Sequence, residues 1–151
     1  MGKINLGRVI LGGIVAGIII DAFENVLNGW LLAGQWASVM ASINRAPVGT
    51  NAILVFNLMG LVLGIAAVWT YAAMRPRFGE GPGTAFIAAL LIWVVGYLLS
   101  DAGPALVGIY PLLLTATMVG VGLIEIVVAT EVGAWLYREG EAAPQGQAAR
   151  A

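Results

Sequence analysis

Four carboxylic acids stand inside long apolar stretches of this chain. Asp21 and Glu24 lie in GIVAGIIIDAFENVLNGW (13–30), Asp101 in LLSDAG (98–103) and Glu125 in GVGLIEIVVA (120–129). Asn28, Asn57 and Tyr97 are polar residues that such acids could bond. A carboxylate in a dry setting must keep its proton, find hydrogen-bond donors or share a cation. No Lys or Arg occurs in the same stretches to neutralise these acids. The chemistry on offer is therefore proton or cation binding, centred on Asp21, Glu24 and Glu125. The plainer alternative is a protonated, hydrogen-bonded layer that joins helices. Two carboxylates could also do acid–base work on a lipid-soluble substrate, but no nucleophile or cofactor motif accompanies them.

The chain has no Cys and no His. That removes disulfides, thiol chemistry, the usual zinc and haem ligands, and the commonest general base near neutral pH. No cofactor and no nucleic-acid partner is expected, and no particular ion or substrate follows from these residue types.

The elements that must position the acids follow from composition. Hydrophobic residues make up 60% of the chain, and the 21 glycines raise the share to about three quarters, whereas soluble domains hold about half. Charged residues are 10%, against about 25% in soluble domains. A chain of 151 residues has too little interior to hide that surface from water. The fold class read from this is all-α, a polytopic membrane protein of four spans. The apolar runs are continuous and do not alternate, which excludes a β-barrel.

The runs predict span one over 6–33, span two over 51–74, span three over 84–103 and span four over 111–137. Lys3 and Arg8 before the first run mimic a signal peptide, but without a small-residue cleavage site before Asp21 it reads as a retained span. Trp36, Val39, Met40 and Ile43 recur at helical spacing and predict a short interfacial helix over 35–44. The stretch from Arg75 to Gly83 (RPRFGEGPG) reads as a tight, basic, helix-breaking turn, Thr84 as an N-cap, and Gly103-Pro104 as the stop of span three. Residues 1–138 form one four-helix domain in this reading, and 139–151 a flexible cytoplasmic tail.

Four spans put both termini on one side. Lys3, Arg8, Arg75, Arg77, Arg138 and Arg150 then share it, with Arg45 alone opposite, so the shared side is cytoplasmic: N-in, C-in. Trp30, Trp36 and Tyr110 are read as the outer aromatic belt, and Trp69, Tyr71, Trp135 and Tyr137 as the inner one. Spans one and three share a late Asp-Ala pair, and spans two and four a Trp-x-Tyr before Arg, a faint internal echo.

Helical spacing then sets the face and depth of each acid. Gly13, Gly17, Asp21, Glu24 and Asn28 are spaced by four, four, three and four, so they share one stripe. Gly13-x-x-x-Gly17 and Gly60-x-x-x-Gly64 are small-residue seams, read as packing inside the bundle before a dimer face. Glu125 shares a face with Met118, Gly122, Ala129 and Gly133. Counting roughly 1.5 Å per residue from the basic anchors places Asp21, Glu24, Asn57, Tyr97, Asp101 and Glu125 at similar heights. Trp93 is read as ordinary packing, with a wall of the carboxylate pocket as the alternative, and Glu131 as interfacial.

The pattern of span one, with Glu24-Asn25 and Asn28-Gly29-Trp30, and the turn YAAMRPRFG (71–79) resemble uncharacterised bacterial four-helix integral membrane proteins across the four spans. The resemblance implies a bacterial inner-membrane location and no functional residue. The expected function is a structural or accessory bundle with a buried carboxylate layer. The alternatives are a small proton- or cation-binding transporter or channel using Asp21, Glu24 and Glu125, and, third, a membrane enzyme. The expected partner is the lipid bilayer, with a second copy or a larger membrane complex as a further option.

Overall fold

The computed structural model describes residues 4–138, and the tail expected over 139–151 lies outside them. Every regular element among the described residues is helical. Four helical segments are long and apolar enough to cross a membrane: Leu6–Leu31, Thr50–Phe78, Pro82–Leu106 and Leu112–Leu136.

Segment one is α1, Leu6–Val26, whose start is capped by the Asn5 side chain accepting from the Arg8 N–H at 3.2 Å. It runs into a π-helical turn, Leu27–Leu31, and only Leu32 separates that turn from α2, Ala33–Ser42. A short helix thus stands between segments one and two. Segment two is α3, Thr50–Phe78. It passes through Pro76, which forfeits one hydrogen bond near the helix end without stopping it, so it outlasts the predicted end at 74. Gly79 and Gly81, at φ of 86° and 120°, make the reversal instead.

Segment three is α4, Pro82–Trp93, a second π-helical turn Val94–Leu98, and α5, Leu99–Leu106. Gly81, not Thr84, holds the N-cap position, with Pro82 in the first turn. The Thr84 hydroxyl donates back to the Gly79 carbonyl at 2.8 Å. Gly103 and Pro104 do not end the segment: α5 includes both. Segment four is α6, Leu112–Leu136, entered from Pro111.

The helices form a bundle in which α1 packs on α3 and α6, and α4 on α3 and α6. Glycine sets the closest approach. A Cβ on Gly13 would lie 2.5 Å from the Ile65 Cα, and one on Gly17 the same distance from the Leu61 Cα. Gly64 abuts the backbone of Gly13 and Gly17 in return, so the two small-residue seams close on each other. Gly12 and Gly133 make the matching contact between α1 and α6.

Two apolar clusters result. The larger gathers Val9, Ala16, Ile20, Ala67, Val68, Ala88, Ile126 and Ala129 toward the end that carries Asn5 and Tyr137. The smaller gathers Leu27, Leu32, Val39, Leu114 and Met118 under α2. At the first end Tyr71 and Tyr137 are buried edge to face, centroids 6.0 Å apart, with the Arg75 guanidinium over both rings and ion-paired to Glu80. This corrects the belt reading for the two tyrosines. Trp69 and Trp135 point outward, at 50% and 80% exposed, but the tyrosine two residues on turns into the bundle.

Candidate functional site: a carboxylate layer between two apolar clusters

Glu125 is the centre of the layer. It sits between Met118 of the smaller cluster and Ile126 and Ala129 of the larger, and its side chain is wholly buried. Its Oε1 accepts a hydrogen bond from the Tyr97 hydroxyl at 2.6 Å. Its Oε2 has no hydrogen-bond partner among the described residues. Tyr97 reaches it from the π-helical turn of segment three, its ring lying on Gly122 one helical turn before Glu125. A side chain at 122 would occupy the ring's place, so the glycine is what lets the phenol meet the acid.

The span-one acids approach from α1. Asp21 and Glu24 lie on α1 and Asp101 on α5, each half-buried, and the direct contact to Glu125 is the one made by Tyr97. Glu24 Oε2 accepts from the Asn28 amide at 2.5 Å, and the Asn28 carbonyl accepts from the Trp36 indole at 2.8 Å. Asn28 lies in the other π-helical turn. Such turns recur at functional sites because the extra residue re-aims a side chain, and both polar donors to the carboxylates here come from one.

The single stripe expected on span one divides. Asp21 stays on the α3 seam, its carboxylate filling the space over Gly60. Glu24 and Asn28 leave it, because a step of three turns the helix back by about 60° while a step of four carries it on by about 40°. Asn25, four after Asp21, continues the seam and bonds Asn57 at 2.7 Å. Asn57 makes no hydrogen bond to a carboxylate; it is paired to Asn25 and to the Ile53 carbonyl.

Two partners were not among the candidates. Asn25 was signalled by the i+4 line 13, 17, 21, 25. Trp36, a belt residue by sequence, is half-buried, edge to face with Tyr110 at 5.3 Å, and its N–H is spent on Asn28. Trp93 does not wall the acids: its N–H bonds the Val119 carbonyl at 2.8 Å, tying α4 to α6. Glu131 is half-buried. Among the described residues no group of three or more acidic side chains is placed to hold a metal ion.

Fold and site together define a class: an all-helical bundle with four membrane-length apolar segments and an acid at its centre. Set against protein-family models, curated proteins and solved structures, the chain matches none.

Proposed function

We propose that the protein is a small membrane transporter or channel that binds a proton or cation at Glu125, with Glu24 and Asp21 as the neighbouring acids. The observation that carries this reading is the wholly buried Glu125 with one oxygen held by Tyr97 and the other unpartnered among the described residues. Magnitudes favour it over a packing role. An interhelical hydrogen bond in a membrane averages about 0.6 kcal/mol, whereas an aspartate at a helix centre costs about 2.5–3.5 kcal/mol on insertion scales. An apolar residue would join these helices at less cost.

The test is proton flux into liposomes carrying a trapped pH dye. Wild type should collapse an imposed gradient, and Glu125→Gln, which keeps shape and hydrogen bonding, should fall to the rate of empty liposomes while its helical spectrum is unchanged. Equal rates for the two proteins would return the layer to a structural or accessory role.

The orientation that goes with this reading has both termini and the α3–α4 turn on the cytoplasmic side of a bacterial inner membrane, and α2 in the outer interface. Its support is charge: Arg8, Arg75, Arg77 and Arg138 on one side, Arg45 on the other. A single Cys placed at Ser42 should react with an impermeant maleimide added outside intact cells. Reaction only after the cytoplasmic face is opened would reverse the orientation.

A further inference from the structure

We propose that the species taken up by this layer is the proton, bound at Oε2 of Glu125, and not a metal cation. The inference rests on the reading of Glu125 as a functional acid and narrows it to one ligand. Three observations carry it. First, the polar groups facing the acids are donors. The Tyr97 hydroxyl points its hydrogen at Glu125, and the Asn28 amide points one at Glu24. A hydrogen so placed occupies a lone pair that a cation would need, and its positive end repels the cation.

Second, the amide oxygens of Asn28 and Asn57 are already taken. The Asn28 carbonyl accepts from Trp36, and the Asn57 carbonyl from Asn25. Third, the acids do not converge as ligands. Hard cations such as calcium and magnesium gather about six or more oxygens, yet among the described residues no three acidic side chains are placed around one point. Glu125 offers a single unpartnered oxygen, Oε2, in a fully buried position. One oxygen is what a proton requires.

The groups facing Glu125 come from each packed element. From α1 they are Asp21 and Glu24, and from the π-helical turn of segment three Tyr97. From α5, Asp101 acts on Glu24 and Tyr97. On α6 itself the next acid is Glu131, six residues on, and the charged residues of α3, Arg75 and Arg77, are in its last turn at the far end of the bundle. In the uptake step an O–H bond of hydronium breaks, the proton joins Oε2, the carboxylate becomes a neutral acid and water is released.

The experiment is an infrared pH titration of the protein in phosphatidylethanolamine–phosphatidylglycerol nanodiscs, following the carboxylic C=O band in sodium, potassium or choline chloride at equal ionic strength. The expected result is a titrating band that is absent from Glu125→Gln and has one midpoint in all three salts. Tyr97→Phe keeps the acid and removes only its donor. A shift in the frequency of that band then assigns it independently, should Glu125→Gln not fold. A midpoint that moves with sodium or potassium would mean that the cation competes for the site, overturning the proton assignment while leaving Glu125 a functional acid. A Glu125 carboxyl that never titrates would overturn both.

Discussion

Gly64→Ala is expected to cost the bundle about 3 kcal/mol or more, at or beyond the upper end of ordinary overpacking. The reason is what the new methyl would meet. At most crowded positions a side chain can swing away, but the atoms facing Gly64 are the Gly13 carbonyl and the Gly17 backbone, and neither can move without moving α1. Separating α1 from α3 also lifts Asp21 off Gly60 and withdraws Glu24 from the layer. Gly13→Leu and Gly17→Leu should act in the same direction, since each side chain would run into the α3 backbone at Ile65 or Leu61. Gly120→Ala is the control, because no other group lies near a Cβ built there. The check is thermal or denaturant unfolding in one detergent. A Gly64→Ala protein that melts with Gly120→Ala and wild type would mean that α1 and α3 are not in backbone contact.

The second large effect concerns Tyr97 and Glu125 as a pair. Tyr97→Ala should cost about 3–5 kcal/mol, the range for emptying a buried aromatic site, because the ring fills the hollow over Gly122 and no neighbour can replace it. Tyr97→Phe isolates the hydroxyl and should cost about 1–3 kcal/mol, since it strips a completely buried acid of the hydrogen bond to its Oε1. Glu125→Leu alone should cost a similar amount by stranding the phenol. The double variant should recover most of the loss, because removing both partners of a buried bond is close to neutral. Strictly additive costs would show that the two groups do not interact in the membrane.

How much of this was legible in the sequence depends on whether a contact is local. The spans follow from hydropathy alone, and the glycine seams from their spacing. The ends of the segments were less legible. Pro76 and Pro104 were read as breakers, yet each costs one hydrogen bond inside a segment whose other backbone groups have no alternative partner in an apolar setting. The similar depth of Asp21, Glu24, Asp101 and Glu125 was visible from residue counts. The partners were not, because two π-helical turns re-aim Asn28 and Tyr97, and no residue type announces such a turn. The Tyr71 and Tyr137 side chains were hidden by a different ambiguity: Trp-x-Tyr beside Arg reads as a belt whether the tyrosine faces lipid or, as here, a buried guanidinium.

The position of α6 has a consequence for biosynthesis. It is the last of the four segments to leave the ribosome, and it supplies Glu125, the Gly122 seat for Tyr97, and the Gly133 contact that receives Gly12 and Val68. Until it inserts, α1 and α3 can close along their glycine seam, but Tyr97 has no seat and no acid to donate to. The span-one acids are thus in place before Glu125 has been made. A nascent chain halted before residue 112 should lack both the Tyr97–Glu125 bond and the glycine contact between α1 and α6, and the bundle should close only when the fourth segment joins.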